Sequence, residues 1–596
     1  MMEQGAKHSG GRRYGVTFFV MSAIVVAWQC YVLALDTQLG GVSSLLQHWH
    51  VVAVNVANAL LLLSPYWLLP RRWRWVVWLP LTLLTVWCMA QLCYCRAYDD
   101  LMPWHSLTLT QNVNSTLAAS TMSLLRWQDL LVVLPYLALI AVCAAGLEWS
   151  PGRDVCRTRA FLVTILAAVL VGAAGYLDGD TNYERRFLHN FGGRNYFARN
   201  GMIPYVAFTL HEEFKAHSVT DEEREQVKQF MATECPRYSD NRYCRVDGRN
   251  LVLIIVESLH TWPIGMRVDG REVTPELNRL IAQEGTIYAP HVLFQTSHGH
   301  SSDAHFIYNT GLLPLRDGVV AVSHGDGPYP TLADALSGYD CREVICTPSV
   351  NWNQAMTART YGFDTLYTRD DLVASGALSR HGGIDDAALT DFTSSLLPRL
   401  IQPFFLELVT MTMHAPYPAG KVPRSWITAA DTLNAEARGY LECVHVTDSC
   451  IGSLVKAIRD LGIERNTVVA IVSDHTQLYL NRIKGIPDRE ASPVDWGIPL
   501  IIAGADTTCS YLPVIGQIDV FPTLIDVMGV NEYWWKGLGH SLLRYPVTSA
   551  IQPRNMSVIG DSSRLTDHQR RAWDISRLMI LDRKQASVSR QVVSGH

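Results

Sequence analysis

The chain has 596 residues, 48% of them hydrophobic, and a formal net charge of -5 at pH 7. This length leaves room for a core of several hundred residues and a further module. The net charge is negative and the sequence contains no Lys/Arg-rich tract, so it lacks the basic surface that binds nucleic acid, and we expect no nucleic-acid partner.

The first 180 residues contain five apolar segments that are long enough to cross a bilayer, which takes about 20 helical residues. These segments are residues 14–35, 51–69, 76–95, 130–147 and 160–177. The first is not a cleavable signal peptide, because its apolar run is too long and further spans follow it. The span centres carry no charged residue, which argues against an ion or proton pathway. Residues 1–177 are therefore predicted to be a five-helix transmembrane domain that anchors the rest of the chain.

Basic residues and tryptophans beside the spans predict their orientation. The basic groups precede the first span, separate the second from the third and separate the fourth from the fifth: Lys7, Arg12, Arg13, Arg71, Arg72, Arg74, Arg153, Arg157 and Arg159. All three groups fall on one side, which the positive-inside rule identifies as cytoplasmic. Tryptophans that suit an interfacial belt lie near the span ends: Trp67, Trp73, Trp75, Trp78, Trp127 and Trp149. Because the number of spans is odd, the N-terminus is expected inside and everything after Asp178 outside the cytoplasm.

Residues 178–248 are interpreted as a helical connector that lies along the membrane surface. Thr220-Asp-Glu-Glu223 is a capping-box pattern and predicts the start of a short amphipathic helix. Cys235 and Cys244 flank a polar loop and could form a disulfide in an oxidising compartment. Seven cysteines follow Asp178, and because seven is odd at least one of them cannot pair within this chain.

Three apolar runs in the second half each end in a residue that can bind a metal or a phosphate. The first run ends at Glu257, the second at His414 and the third at Asp474-His475. Runs this short and apolar are typical of buried parallel strands, and open α/β sheets carry their chemistry at the carboxyl ends of such strands. From about Asn250 the runs alternate with helical stretches, so residues 249–545 are predicted to be an α/β catalytic domain with a mainly parallel sheet, followed by a C-terminal extension, 546–596.

A second motif follows the strand that ends at Glu257. In Gly299-His-Ser301-Ser302-Asp303, the glycine and the short polar residues predict a tight turn into a helix, whose first amides and positive dipole end attract anions. A hydroxyl at that position would face a bound phosphate. The alternative is that Ser301 or Ser302 is only a helix cap, because serine is a preferred cap residue.

The order of these motifs resembles the lipoteichoic acid synthase family of membrane phosphoglycerol transferases, a branch of the alkaline phosphatase and sulfatase superfamily. The resemblance includes the five spans and covers nearly the whole chain. It implies a sulfatase-like fold with Glu257, Asp474 and His475 as metal ligands. It also implies that Ser301 is both the nucleophile and a metal ligand, and that His414, in Met-His-Ala-Pro-Tyr417, contacts substrate and acts in catalysis by phosphate contact or leaving-group protonation.

The expected cofactor is one divalent metal ion. Two carboxylates, an imidazole and an alkoxide make an oxygen-rich donor set that suits Mn²⁺ or Zn²⁺, with Mn²⁺ as first choice. Such a cation would lower the pKa of the Ser301 hydroxyl and polarise a phosphoryl oxygen. Too few further Asp and His residues stand at matching places for a second metal, so a one-metal site is the working hypothesis.

The chain departs from the family around the expected substrate contacts Trp352, Asn353 and Gln354. In the family, an arginine follows Trp-Asn and contacts glycerol phosphate, and an acidic residue accompanies it. In this chain Gln354 stands at the arginine position and Thr347 at the position of the acid. The head group is therefore open between phosphoglycerol, the first choice, and phosphoethanolamine, the second.

Cys346-Thr-Pro-Ser-Val350 is similar to the formylglycine motif of arylsulfatases. The arginine of that motif is absent, and the cysteine lies about ninety residues beyond the Glu257 strand. We interpret it as a strand end and turn, which disfavours an ordinary sulfatase.

The resemblance implies a bacterial cell (inner) membrane enzyme that takes a phosphoalcohol head group from a phospholipid. A phosphoseryl intermediate would pass the group to an envelope glycan or lipid. The alternatives are a membrane-anchored hydrolase, either a phosphodiesterase/phosphatase or a sulfatase type, and a binding protein that has lost the chemistry. The oligomeric state is not predicted.

Overall fold

The fold is described from a computed structural model. The described residues are 15–38, 49–98, 101–102, 122, 125–145, 156–176, 196–197, 200–214, 219–235, 238, 240, 242–244, 248–316, 318–418, 420–422, 427, 433–476, 497–530 and 532–582. The chain divides into two compact units. One comprises residues 1–108 and 116–216, and the other comprises residues 109–115 and 217–596.

The first unit contains the five predicted apolar helices. As membrane-spanning stretches they run over Val16–Ala34, Trp49–Trp67, Arg72–Arg96, Trp127–Ala144 and Arg157–Tyr176. The helices themselves are α1 (Val16–Gln38), α2 (Trp49–Leu63), α3 (Trp78–Tyr98), α4 (Leu130–Ala144), α5 (Arg157–Tyr176) and α6 (Met202–Phe214). The five spans predicted from the sequence are thus confirmed by length and hydropathy.

Parts of the orientation argument fall outside the described residues. These are Lys7, Arg12, Arg13, Trp149 and Arg153. Among the described tryptophans, Trp73, Trp75 and Trp127 are exposed, as interfacial anchors require. Trp67 differs: it is buried, and its indole nitrogen donates a 3.0 Å hydrogen bond to Thr164.

Some polar side chains of the helical unit form hydrogen bonds or ion pairs between helices. Gln29 of α1 donates to the hydroxyl of Thr85 at 2.8 Å and to the carbonyl of Val132 at 2.9 Å. Arg96 and Asp129 form a buried pair of 2.6 Å. Interhelical bonds of this kind hold transmembrane helices together, because lipid offers no alternative partner.

The second unit begins with α7 (Asp221–Thr233), whose predicted capping box is present. The amide of Glu223 donates to the Thr220 hydroxyl, and the Glu223 carboxylate accepts from the Thr220 amide. Arg224 bonds Asp582 at 2.8 Å, and Phe230 is fully buried in the core. The C-terminal half of the predicted connector therefore packs as part of this unit.

The disulfide that the sequence allowed between Cys235 and Cys244 is not formed. Neither sulfur is part of a disulfide bond. The thiol of Cys235 contacts the sulfur of Met231 at 3.3 Å, one turn earlier in its own helix, whereas Cys244 lies 3.6 Å from the guanidinium of Arg249. Each sulfur is thus packed against a different neighbour.

The main sheet of this unit contains nine strands in the order β10-β4-β9-β8-β1-β7-β5-β6, with β11 also paired to β4. The strands are β1 (Asn250–Val256), β4 (Ile287–Leu293), β5 (Asp340–Ile345), β6 (Thr365–Tyr367), β7 (Phe404–Val409), β8 (Thr467–Ser473), β9 (Ile498–Ala503), β10 (Cys509–Ser510) and β11 (Ile515–Gly516). Two small ribbons pair β2 (Arg267–Val268) with β3 (Arg271–Glu272) and β12 (Ser549–Ile551) with β13 (Val558–Gly560). The strands β8, β1, β7, β5 and β6 run parallel, and β9 is antiparallel to both neighbours. A mainly parallel sheet is confirmed.

Helices cover both faces of the sheet. They are α8 (Pro275–Ile281), α9 (Ser301–Thr310), α10 (Val320–Ser323), α11 (Leu332–Ala335), α12 (Gln354–Thr360), α13 (Arg369–Ala374), α14 (Ala377–Arg380), α15 (Asp385–Leu396), α16 (Ala435–Asp460), α17 (Val520–Val527) and α18 (Thr566–Leu581). In β1, Leu251, Leu253 and Ile255 join the core on one face, whereas the alternate residues join the core on the other. This alternation explains why the central strand is apolar throughout.

The segment interpreted as a C-terminal extension belongs to the core as far as Asp582. Trp573 and Leu578 of α18 lie in the same hydrophobic cluster as α9. The Ser576 hydroxyl accepts from the amide of Leu313 at 2.9 Å and donates to its carbonyl at 2.6 Å. This helix therefore closes one face of the sheet.

Candidate active site

Glu257 stands at the carboxyl end of β1, at the edge of the sheet. Its amide donates to the hydroxyl of Thr410 at 3.0 Å, which ties it to the end of the neighbouring strand β7. The Ser258 hydroxyl donates to Oε1 of Glu257 at 2.7 Å. Glu257 is 5% exposed, so Oε2 remains the oxygen available to a ligand.

Asp474 and His475 follow β8, the other neighbour of β1, so their position next to Glu257 follows from the parallel register. Oδ1 of Asp474 accepts from the amides of Ser258 at 2.8 Å and His475 at 2.7 Å, and Oδ2 lies 3.3 Å from Nε2 of His475. Nδ1 of His475 donates to the carbonyl of Thr476 at 2.8 Å. Because a carbonyl oxygen only accepts, Nδ1 carries a hydrogen, and Nε2 is the ring atom that faces Glu257 and Asp474 and could bind a ligand.

Ser301 is the first residue of α9, and its hydroxyl faces the same point. Its Oγ lies 3.5 Å from Oε2 of Glu257 and 3.4 Å from Nε2 of His475. The hydroxyl of Ser302 instead donates to the carbonyl of Gly299 at 2.8 Å. Ser301, which the resemblance implies as the nucleophile, is thus the serine directed at the carboxylate and the imidazole.

The turn that presents Ser301 is sterically restricted. Asp303 accepts from the amides of Ser297 at 2.8 Å and Gly299 at 3.0 Å. A Cβ on Gly299 would lie 2.1 Å from Oδ1 of Asp303, so any other residue would displace that carboxylate. His300 has a φ of 41° and Ser258 a φ of 51°, values that non-glycine residues rarely adopt and that concentrate at functional sites.

The electrostatics of this group fit a cation. Burial and the adjacent Glu257 carboxylate raise the pKa of Asp474 to about 6. For His475, burial lowers the pKa, but Asp474 and Glu257 outweigh that effect, so its pKa is raised. Two buried carboxylates that repel each other are relieved by a positive ion.

The donor set passes the chemical test for a divalent metal. Ligand atoms of Glu257, Asp474 and His475 lie within 4.8 Å of one another. Each of these residues has its second polar atom occupied by a protein group, which orients the first atom, as outer partners do in metal sites. Together with Oγ of Ser301, the set offers three oxygens and one imidazole nitrogen, which suits Mn²⁺ or Zn²⁺.

His414 lies in the turn after β7, close enough to His475 and Asp474 for their charges to affect its titration. Its Nδ1 donates to the carbonyl of Ala415 at 2.7 Å, which leaves Nε2 as an acceptor. Burial and the nearby Lys421 ammonium lower the pKa of His414 to about 4. The ring is therefore neutral at pH 7.

Two residues that sequence reasoning missed hold the His414 turn. Lys421 donates to the carbonyl of His414 and, at 3.0 Å, to that of Pro416. Asp386, buried at the start of α15, accepts from the amides of Met411 at 2.7 Å and Thr412 at 2.9 Å. Neither residue adjoins a recognisable motif, so the sequence carried no signal for them.

Two of the three residues expected to contact substrate near position 352 form side-chain hydrogen bonds within the protein. Trp352 and Asn353 have positive φ values of 49° and 57°, and the Asn353 amide donates to the carbonyl of Ala321 at 3.0 Å. Gln354 is buried and donates to Oε1 of Glu343 at 2.5 Å. Its side-chain nitrogen is thus directed into the domain interior.

The motif that is similar to a formylglycine site forms a strand end and a turn, as interpreted from the sequence. Strand β5 ends at Ile345. The thiol of Cys346 is buried and donates to the carbonyl of Asp385 at 3.6 Å. This cysteine is therefore a packing residue.

Comparison with known proteins matches both halves of the chain. The Sulfatase family model matches residues 249–530, and that of the lipoteichoic acid synthase N-terminal domain matches residues 2–221. Lipoteichoic acid synthase of Staphylococcus saprophyticus is 23% identical over 573 residues, which cover 90% of this chain and 85% of that protein. Lipoteichoic acid synthase 1 of Bacillus subtilis is 23% identical and covers 91% of this chain and 87% of its own length.

One solved structure supports the fold of the second half. The lipoteichoic acid synthase LtaP from Listeria monocytogenes superposes with a TM-score of 0.52 and 18% sequence identity, over 60% of this chain and 98% of that structure. At this identity the likeness concerns the fold. It agrees with a sulfatase-type fold for the second unit.

Proposed function

We propose that this chain, a sulfatase-superfamily phosphotransferase that resembles lipoteichoic acid synthase, transfers a phosphoalcohol head group from a membrane phospholipid to an envelope glycan or lipid. The observation that carries the proposal is the position of the Ser301 hydroxyl, 3.4 Å from Nε2 of His475 and 3.5 Å from Oε2 of Glu257. A hydroxyl beside an oriented imidazole and a carboxylate is the arrangement of an activated nucleophile.

The proposed reaction has two balanced steps. In the first, Oγ of Ser301 forms a bond to the phosphorus of the donor, the bond between phosphorus and the diacylglycerol oxygen breaks, and the Ser301 proton is transferred so that diacylglycerol leaves as the neutral alcohol. In the second, a hydroxyl of the acceptor attacks the phosphoserine, and Ser301 is released with its proton restored. The relatives' name, lipoteichoic acid synthase, supports an acceptor in the cell envelope.

Glu257, Asp474, His475 and Ser301 would hold one divalent cation, with Mn²⁺ as first choice and Zn²⁺ as second. When bound, the cation lowers the pKa of the attacking hydroxyl and stabilises charge on the phosphoryl oxygens. The N-terminal end of α9 adds a favourable dipole for the anionic donor.

His414 is proposed to contact the head group or its phosphate. Since its Nδ1 donates to Ala415 and its ring is neutral at pH 7, Nε2 can accept a hydrogen bond from a head-group hydroxyl. Protonation of the leaving group by His414 would require a proton gained within the substrate complex, because the free ring does not hold one at that pH.

The head group is proposed to be phosphoglycerol first and phosphoethanolamine second. An arginine fork binds phosphate oxygens bidentately, and neutral Gln354 cannot reproduce that contact. The Gln354 amide is also engaged by Glu343. Trp352 and Asn353 remain the proposed contacts from this segment.

The five spans support a membrane location, and the basic residues beside them support a cytoplasmic N-terminus with an extracytoplasmic catalytic domain. This location suits the proposed reaction, because donor lipids and envelope acceptors both lie at the outer surface of a bacterial cell membrane.

The test uses the purified full-length protein in vesicles with equal amounts of phosphatidylglycerol and phosphatidylethanolamine. Diacylglycerol release, together with recovery of the phosphoalcohol on an added glycan or glycolipid, supports a transferase. Diacylglycerol release with the phosphoalcohol free in solution supports the hydrolase alternative. Release from neither lipid, with Ser301→Ala as blank, overturns the proposed donor class.

A further inference from the structure

A second group of ligand-type side chains lies below the candidate active site. His305 is on α9, one helical turn after Ser301, so it extends from the same face of that helix toward the sheet. Glu343 on β5 and Glu407 on β7 are Cα partners in register on adjacent parallel strands. Both carboxylates have 0% exposure, and His305 has 4%. The group is therefore closed to solvent.

The three side chains converge. Nδ1 of His305 lies 3.4 Å from Oε1 of Glu407 and 3.8 Å from Oε1 of Glu343. One ligand atom from each residue lies within 4.8 Å of the other two. Atoms bound to Zn²⁺ at about 2.0–2.2 Å can be separated by at most about twice that bond length. Small side-chain shifts would bring this set to bonding distance.

Each carboxylate is half satisfied. The amide of Asn309 donates to Oε2 of Glu407 at 2.8 Å, and that of Gln354 donates to Oε1 of Glu343 at 2.5 Å. Oε1 of Glu407, Oε2 of Glu343 and Oδ1 of Asn309 are buried oxygens without a hydrogen-bond partner. Three unpaired acceptors in one buried place are costly unless a positive group satisfies them.

The charge of the group also requires compensation. Like charges directly opposite each other on adjacent strands are destabilising, and among the described residues the ion-pair partner of Glu343 and Glu407 is His305 alone. Burial raises the pKa of both carboxyls and lowers that of His305. The group is therefore electrically neutral in two states. In one, each carboxyl carries a proton; in the other, both carboxylates are ionised around a single dication.

We propose that His305, Glu343 and Glu407 bind a second divalent cation in a closed structural site beneath Ser301. The unpartnered oxygens favour the dication over the protons, since one cation bound by Oε1 of Glu407 and Oε2 of Glu343 would satisfy both of these oxygens. One imidazole and oxygen ligands suit Zn²⁺ or Mn²⁺. This site would revise the one-metal hypothesis, which expected no second metal.

The cation would connect three elements that determine where Ser301 lies. His305 belongs to the helix that carries Ser301, and the two glutamates belong to β5 and β7. Through its bond to Glu343, Gln354 attaches the turn that carries Trp352 to the same point. The site is therefore proposed to position the nucleophile helix, without contact with substrate.

The test compares metal content and thermal stability of purified full-length wild type and the double variant Glu343→Gln/Glu407→Gln. Each protein is loaded with ZnCl₂ or MnCl₂ and desalted before elemental analysis. Glutamine has the shape of a protonated glutamic acid and binds cations poorly. If a cation is bound, the variant holds one equivalent per chain less than wild type and unfolds at a lower temperature.

The opposite outcome has a distinct signature. If the variant has the same metal content as wild type and an equal or higher unfolding temperature, the two carboxyls are protonated in the wild type. That result overturns the proposal. The same comparison is repeated with Asp474→Asn added to both proteins, which removes the metal bound at the catalytic position. The result for the second site then does not depend on whether the proposed reaction occurs. His305→Gln, which removes one ligand and no charge, provides a second variant if the double one does not fold, and it too should lose one equivalent.

Discussion

The Ser301 hydroxyl oxygen lies 3.4 Å from Nε2 of His475, whereas the hydroxyl of the adjacent Ser302 is bonded to the carbonyl of Gly299. This difference predicts separate consequences for two nearly identical substitutions. Ser301→Ala should reduce diacylglycerol release to background with little change in unfolding temperature, because it removes the nucleophile and no packing.

Ser302→Ala is the matched control. It removes one buried hydrogen bond, which costs roughly 1 kcal/mol of folding free energy, and should leave the turnover of the folded enzyme within a few-fold. Release assays and thermal unfolding of both variants check this. Activity that survives in Ser301→Ala and disappears in Ser302→Ala would move the nucleophile to Ser302.

Asp474→Asn should weaken the catalytic cation most among conservative changes, because it removes a full ligand charge. The backbone should remain in place, since the asparagine Oδ1 can still accept from the amides of Ser258 and His475. We expect chelator to abolish the activity of the wild type and added Mn²⁺ to restore it. The variant should regain activity only at a much higher Mn²⁺ concentration. An Asp474→Asn protein with unchanged Mn²⁺ dependence would contradict the ligand assignment.

The sequence predicted that Glu257 and Asp474 would come together, because each follows an apolar strand. Glu257 follows β1 and Asp474 follows β8. These strands are parallel neighbours, so their carboxyl ends lie at the same edge of the sheet and the two carboxylates are close together. The resemblance selected Ser301 over Ser302. Residue types alone do not make that choice, because it depends on which hydroxyl the Gly299 carbonyl accepts from.

The second ligand group could not be predicted for a different reason. Glu343 and Glu407 stand inside apolar strands, and a search of strand ends passes over them. Their one signal is an acidic residue in the middle of an otherwise apolar run, at Arg-Glu343-Val-Ile and Phe-Leu-Glu407-Leu-Val. The pairing of the two strands, β5 with β7, follows from the crossover order of the whole sheet.

Lys421→Met should shift the acidic limb of the pH–rate profile upward. The wild-type His414 has a pKa of about 4, lowered by burial and then by the Lys421 ammonium. Removing that positive charge makes protonation of the ring easier, so the pKa of His414 rises and activity that needs the neutral ring is lost at a higher pH. Profiles of both proteins over pH 4 to 8, with His414→Gln as a control that lacks the titrating ring, measure this.

Asp386→Ala should lower activity through the His414 turn. It leaves the amides of Met411 and Thr412 without their acceptor, at about 1–3 kcal/mol for each buried group left unpaired. Asp386→Asn retains an acceptor oxygen and should recover most of the loss in both unfolding temperature and turnover. Equal defects in the two variants would mean that the charge of Asp386, and not its hydrogen bonds, is what matters.

The orientation of the chain can be tested with two thiols. Cys156 is exposed and stands directly before Arg157 at the start of α5, on the side predicted to be cytoplasmic. Ser562 is exposed in the second unit, so Ser562→Cys should react with a membrane-impermeant maleimide in intact cells, whereas Cys156 should react only after permeabilisation. The reverse pattern would place the catalytic domain inside the cell and remove its access to outer-surface donors.

The last prediction concerns the head group. With phosphatidylglycerol and phosphatidylethanolamine supplied equally, we expect more diacylglycerol from phosphatidylglycerol. Gln354→Ala should lower the unfolding temperature without changing that ratio, because the amide of Gln354 is bonded to Glu343.

Trp352→Ala tests the competing donor: an ammonium over an indole gains about 0.5–2 kcal/mol, roughly a factor of two to thirty in affinity. If phosphoethanolamine is the true head group, Trp352→Ala should reduce release from phosphatidylethanolamine by that factor more than release from phosphatidylglycerol, and the wild-type preference should be reversed. Equal losses for the two lipids, with phosphatidylglycerol preferred throughout, would support phosphoglycerol and a purely apolar contact from the indole.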